Sequence, residues 1–187
     1  MLRAGTTAPD PRLTSPDGEP VQLSSAWADD PALLVFIRHF GCVFCRQQVV
    51  DLRSNEAKLR ALGVNLALVT MGEPAETADF VAKYRWPGIA FCDPDRVAYR
   101  GFELTNGSLG QLAGPGVAFS AIKATVGGTL QGRVHGGDPK QMPGLFIVGT
   151  DGVIRYAHEF KHAGDQPPSR DLMRIIPAAL ERASAPA

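Results

Sequence analysis

Residues 32–46 read Ala32-Leu33-Leu34-Val35-Phe36-Ile37-Arg38-His39-Phe40-Gly41-Cys42-Val43-Phe44-Cys45-Arg46. The first six are apolar without a break and end at a turn signal, which predicts a short strand buried on both faces. The period then changes. Cys45, Val49, Leu52, Leu59 and Leu62 fall on one stripe at helical spacing, and Gly63 is a natural stop. A helix is therefore predicted over residues 41–62, opened by Gly41-Cys42. Two cysteines three apart stand where a buried strand passes into a helix.

Working outward, Pro9, Pro11, Pro16, Gly18, Pro20 and Pro31 make residues 1–31 an irregular lead-in with one short strand at Val21-Gln22-Leu23. Residues 64–69 read as a second apolar strand. Pro74 suits the first position of a helix running to Tyr84. Residues 88–92 are a third strand, ended by Asp93-Pro94. Residues 145–148 are a fourth, and residues 153–158 pair back on it across Thr150-Asp151-Gly152. The last helix starts near Ser169, with Leu172, Ile175, Ile176, Ala179 and Leu180 on its apolar face, and Pro177 is expected to kink or break it. Eleven of the 20 glycines lie between Gly101 and Gly144, which makes residues 101–143 a glycine-rich insertion with one helix expected over 117–125. The alternation of strands and helices predicts one α/β domain over residues 1–187, a central mixed sheet flanked by helices.

Nineteen Lys and Arg balance nineteen Asp and Glu among 187 residues, so no basic excess points to nucleic acid. Trp27 and Trp86 are too scattered for a base-stacking surface. No apolar run approaches the length of a membrane span, and no apolar stretch follows the first Arg as in a secretory signal. Three cysteines are too few for a disulfide scaffold. The expected setting is a reducing cytoplasm, where a close cysteine pair more often means redox or metal chemistry than structural bridging.

At a helix start Cys42 faces backbone N–H groups with no intrahelical partner, at the positive end of the helix dipole. Both favour the thiolate, the attacking form of the residue. Arg38 and Arg46 stand near enough in sequence to add to that field. Cys45, one turn in on the buried stripe, is shielded and close enough to close a disulfide. Cys42 is thus the expected nucleophile and Cys45 the resolving thiol. Half a zinc site, drawing on His39, His135, His158 or His162, lacks a second Cys-x-x-Cys or a His-x-x-x-His, so no metal or other cofactor is expected. Cys92 ends a strand, where cysteine commonly serves as a small hydrophobe. His135 reads as a loop histidine, and His158, Glu159, Lys161, His162 and Asp165 as a solvated mixed-charge face. Gly127-Gly128 with Gly132 lacks the strand and the Gly-Lys-Ser/Thr of a phosphate loop.

The runs Thr7-Ala8-Pro9-Asp10, 13–23, 34–46, 91–99, 137–148 and 158–165 together resemble the peroxiredoxin-like branch of the alkyl hydroperoxide reductase and thiol-specific antioxidant family. The resemblance implies a thioredoxin-like fold, a disulfide or hydroperoxide substrate, and a thiol reductant such as a thioredoxin or glutathione system. The departures bear on the reaction. Peroxiredoxins place a Pro and a Thr ahead of the reactive Cys, where this chain has Val35 and His39. Where the family has an Arg that holds the peroxide, this chain has Pro143. Pro143 resembles instead the cis-proline of thioredoxin-like disulfide reductases, whose preceding backbone, here Met142, is left free to pair with an incoming substrate. The resulting expectation is a thiol–disulfide oxidoreductase, with His39, Arg46, Met142 and Pro143 supporting Cys42 and Cys45. A thiol peroxidase using the same two cysteines is the alternative. A redox-sensing or binding module on the same fold is a third reading.

Overall fold

The computed structural model describes residues 1–114 and 132–181. Its elements in chain order are β1 (Arg12–Thr14), β2 (Pro20–Gln22), a 3-10 turn (Leu23–Ala26), β3 (Ala32–Phe36), α1 (Val43–Ser54), α2 (Glu56–Ala61), β4 (Asn65–Thr70), α3 (Pro74–Tyr84), β5 (Ile89–Cys92), α4 (Val97–Gly101), α5 (Leu109–Ala113), β6 (Gly144–Val148), β7 (Ile154–Ala157) and α6 (Ser169–Glu181). The strands form one sheet in the order β2-β1-β5-β4-β3-β6-β7. β4 runs parallel to both β3 and β5, whereas β6 lies antiparallel to β3 and carries β7 as the edge. This is the mixed sheet expected from the sequence.

β3 sits inside the sheet with every residue buried, which explains its unbroken apolar run. Successive side chains serve opposite faces. Leu33, Val35 and Ile37 pack into one core with Val49 and Leu52 of α1 and Leu172 and Ile176 of α6. Leu34 and Phe36 enter the other, with Trp27, Tyr99, Phe102 and Phe146. The Phe36 ring meets Tyr99 edge-on, with centroids 5.1 Å apart. The Tyr99 hydroxyl donates to the carbonyls of Ile37 at 2.6 Å and Val69 at 3.0 Å, pinning together the ends of β3 and β4 from which the site begins.

Four expectations are corrected. The helix predicted over 41–62 is two helices. Asn55 leaves helical geometry (φ −116°, ψ 12°), and its side-chain amide donates to the Asp51 carbonyl that its own backbone N–H would have taken. The lead-in is more ordered than its prolines suggested. Ser15-Pro16-Asp17-Gly18 turns β1 into β2, with Gly18 at φ +87° and its N–H on the Ser15 carbonyl, so Pro-Asp-Gly was a turn signal. α6 continues through Pro177 to Glu181 because Leu172, Ile176 and Ala179 bury its apolar stripe, which outweighs one lost backbone bond. Within the glycine-rich region a short helix, α5, forms at Leu109–Ala113, where none was expected. The helix expected over 117–125 lies outside the described residues.

Candidate active site

After β3 the chain crosses the sheet edge through Arg38, His39, Phe40 and Gly41, then enters α1. Cys42 is the N-cap of that helix rather than its first helical residue. Its Sγ accepts the Cys45 backbone N–H at 3.5 Å, the place a serine or aspartate oxygen takes in an ordinary cap. Gly41 is required by close approach. A Cβ there would lie 2.0 Å from the Arg133 carbonyl oxygen, and the Gly132 N–H donates to the Gly41 carbonyl at 2.9 Å.

Arg38 addresses both sulfurs. Its backbone N–H donates to Cys45 Sγ at 3.4 Å, and its guanidinium Nη1 lies 3.9 Å from Cys42 Sγ. The rest of the guanidinium is held by carbonyls, Nε donating to Gln141 at 2.8 Å and Nη2 to Pro139. Among the described residues no carboxylate pairs with it, so its charge is left for the sulfur.

Both cysteines are free thiols and equally hidden, each 1% exposed. Their acidities nevertheless diverge. A hydrogen bond from the Cys45 thiol, the Arg38 charge and the N–H groups of Cys45 and Phe44 together outweigh burial and lower the Cys42 pKa to about 6. Burial, and the donation of its own proton to Cys42, push the Cys45 thiol well up. Near neutral pH the pair is a thiolate beside a thiol. The helix-start N–H groups and the Arg38 charge act on Cys42 as expected from the sequence, the hydrogen bond between the two sulfurs adds to them, and exposure does not distinguish the pair.

His39 is 3% exposed, and its Nδ1 is buried without a hydrogen-bond partner. Burial first, then the charges of Arg38 and His135, lower its pKa to about 4 against the opposing pull of Asp138. It is a neutral ring at neutral pH. Arg46 donates through Nε to the Tyr84 hydroxyl at 2.6 Å, with its guanidinium 6.0 Å from that ring's centroid. Its hydrogen bond therefore goes to Tyr84.

Met142 and Pro143 depart from expectation. No peptide bond among the described residues is cis, so the Met142–Pro143 bond is trans. Nor is the Met142 backbone free. Its N–H donates to the Thr105 carbonyl at 3.1 Å, and its carbonyl accepts from Gln141 Nε2 at 3.2 Å. Both residues are buried. The docking edge inferred from a cis-proline is absent in this conformation, because the 104–107 segment already occupies it.

Cys92 pairs in register with Thr70 on β4, and burial pushes its thiol up. The His135 ring is exposed, but its carbonyl accepts the Phe40 N–H at 3.0 Å, which sets the loop against the site. His158 is not on a solvated face. Its two ring nitrogens meet the Tyr156 hydroxyl at 3.2 Å and the Asp165 carbonyl at 3.0 Å, closing the 158–165 turn. No three His, Cys, Asp or Glu side chains converge as metal ligands among the described residues. The carbonyls on Arg38 come from a loop about a hundred residues away, and no spacing in the sequence announced them.

Residues 51–162 match the family described as AhpC/TSA antioxidant enzyme, a segment that begins just after the two cysteines. The chain is 33% identical over 171 residues to a prostamide/prostaglandin F synthase of Salmo salar, an alignment covering 88% of this chain and 83% of that protein. It is 28% identical over 166 residues to the thioredoxin-like protein AAED1, chloroplastic, of Arabidopsis thaliana, covering 84% of this chain and 66% of the other. Alignments this long necessarily include positions 42–45. Among solved structures it resembles the peroxidoxin BcpB of Mycobacterium tuberculosis, with a TM-score of 0.68 over the whole of both chains at 17% identity, a likeness of fold. With its mixed sheet, its strand-to-helix cysteine pair and these relatives, the chain belongs to the AhpC/TSA antioxidant-enzyme family and is an oxidoreductase of thioredoxin-like fold.

Proposed function

We propose that the protein is a thiol peroxidase in which Cys42 reduces a hydroperoxide and Cys45 takes up the oxidation. The observation that carries this reading is the guanidinium of Arg38, 3.9 Å from a sulfur that is 1% exposed. The sequence suggested that both peroxide-polarising donors were missing. Arg38 supplies one from another position. A preorganised cation beside a hidden thiolate is what cleavage of an O–O bond asks for, because negative charge grows on the departing oxygen. A hidden sulfur also favours a small oxidant over a bulky disulfide, and the backbone edge that would dock a disulfide is occupied.

The Cys42 thiolate attacks the terminal oxygen of the hydroperoxide. The S–O bond forms, the O–O bond breaks, and the alkoxide leaves and takes a proton from solvent. Cys42 is then a sulfenic acid. The Cys45 sulfur displaces its hydroxyl, giving a Cys42–Cys45 disulfide and water. A thiol reductant of the thioredoxin or glutathione kind restores both thiols by exchange, so disulfide chemistry enters as the return half of the cycle. The cycle must return the pair to the dithiol, and the setting we propose for it is a reducing cytoplasm.

Stopped-flow mixing of the reduced protein with hydrogen peroxide, and separately with a small model disulfide, tests the order. Peroxide is expected to oxidise the pair faster. A faster disulfide reaction would restore thiol–disulfide exchange as the primary activity.

A further inference from the structure

Arg38 is buried, yet it has no carboxylate partner among the described residues. Two backbone carbonyls orient it without neutralising it, and both belong to a short turn organised by Asp138. Asp138 Oδ1 accepts the Lys140 N–H at 2.8 Å, its backbone carbonyl accepts the Gln141 N–H at 3.1 Å, and its own N–H donates to the Arg38 carbonyl at 3.2 Å. The turn is entered through Gly136 at φ +57° and Gly137 at φ +154°. A Cβ on Gly137 would stand 2.2 Å from the Arg38 carbonyl oxygen. Its far end is anchored by Gln141, whose amide reaches the carbonyls of Leu104, Thr105 and Met142 at 2.9–3.2 Å. Asp138 Oδ2 is turned to Arg96 Nη1 at 3.0 Å. That pairing does two things. It ties the turn to the start of α4, and it engages a carboxylate, on the turn that holds Arg38, that would otherwise be free to neutralise it.

We propose that Asp138 is a positioning residue for the redox reaction, holding the Pro139 and Gln141 carbonyls where they aim the Arg38 guanidinium at Cys42, with Arg96 keeping the Asp138 carboxylate off that guanidinium. The inference rests on Cys42 being the reacting thiolate. It extends the site from the cysteine loop to a turn and a helix start that touch no sulfur. Loosening the turn frees the guanidinium from its carbonyls and lowers the time it spends on Cys42, without removing any group that meets the substrate.

The test is a double-mutant cycle read on the thiolate itself. Alkylation of Cys42 by iodoacetamide is followed against pH by peptide mass spectrometry, in the wild type, Asp138→Ala, Arg38→Ala and the double variant. Asp138→Ala is expected to move the Cys42 midpoint up by about one unit, an approximately tenfold loss of thiolate below the midpoint. The same change made on Arg38→Ala is expected to add nothing, because Asp138 acts through Arg38. Arg96→Gln should shift the midpoint in the same direction. Where Asp138→Ala does not fold, Asp138→Asn keeps an acceptor for the Lys140 N–H while removing the charge that faces Arg96, and it should give a smaller shift of the same sign. Equal shifts with and without Arg38, or an unmoved Cys42 midpoint in a folded Asp138 variant, overturn the proposal. The alkylation readout uses no peroxide, so a normal cycle in a protein that consumes no peroxide would fail the functional reading and leave the clamp standing.

Discussion

Arg38 places its guanidinium 3.9 Å from the Sγ of Cys42 and its backbone N–H 3.4 Å from the Sγ of Cys45. One residue thus serves both sulfurs, by charge at the first and by a backbone donor at the second. The short crossing from β3 into α1 allows this, since residue 38 lies two residues past the end of β3 and residue 42 caps α1.

Arg38→Ala should therefore raise the Cys42 pKa from its value near 6 and slow peroxide reduction by about 100-fold, the usual scale for losing a preorganised donor. Arg38→Lys, which keeps the charge but not the planar fork, should fall between. Thiolate absorbance against pH and stopped-flow peroxide kinetics measure the two effects. An unchanged Cys42 titration in Arg38→Ala would remove the guanidinium from the site.

The two cysteines should fail differently. Cys42→Ser is expected to abolish peroxide consumption. Cys45→Ser should still consume one equivalent and then stop at the Cys42 sulfenic acid, which a dimedone adduct traps. Mass spectrometry of the oxidised wild type should show Cys42 linked to Cys45, with Cys92 free. A dominant bridge to Cys92 would contradict the assignment.

The acidity of Cys42 sets the pH profile. Because the thiolate is the reactive form, the rate should rise through about pH 6 and be flat from 7 to 8. An ordinary cysteine, by contrast, is still gaining reactivity across that range. A profile still climbing at pH 8 would mean that burial outweighs the donors.

His39 should make the fold acid-sensitive. Its pKa is about 4 when folded and 6.5 as a free side chain. Between those values the unfolded chain binds a proton that the folded one refuses, so stability falls as pH drops from 6.5 to 4. Urea titrations across that window should show a shallower loss for His39→Gln than for the wild type. Parallel curves would show that the buried ring takes up its proton without penalty.

Tyr99→Phe should destabilise the fold by about 1–3 kcal/mol, because the carbonyls of Ile37 and Val69 lose a buried donor. Urea unfolding measures this, and a loss under about 0.5 kcal/mol would mean that water replaces the hydroxyl.

Local pattern was enough for every strand but β1, for the cysteine pair and for its place at a helix start. An unbroken apolar run means burial on two faces, and apolar residues at helical spacing mean a helix, whatever else surrounds them. The difference in acidity between Cys42 and Cys45 was legible for a related reason, since a cap position sees N–H groups wherever the helix lies. Even so, Asn55 broke the helix and Pro177 did not, because each outcome turned on a competition between a local preference and its neighbours. What only the tertiary structure decided is the environment of the sulfur. The resemblance of Pro143 to a cis-proline suggested a free docking edge, but Thr105 had taken the Met142 N–H. The cation beside the sulfur is Arg38, aimed by the carbonyls of Pro139 and Gln141. Backbone carbonyls exist at every residue, so composition and spacing carry no mark of which ones will clamp a guanidinium. That choice is made by chain topology, when β6 lies down beside β3 and brings the turn before it against the end of the strand that leads to Cys42.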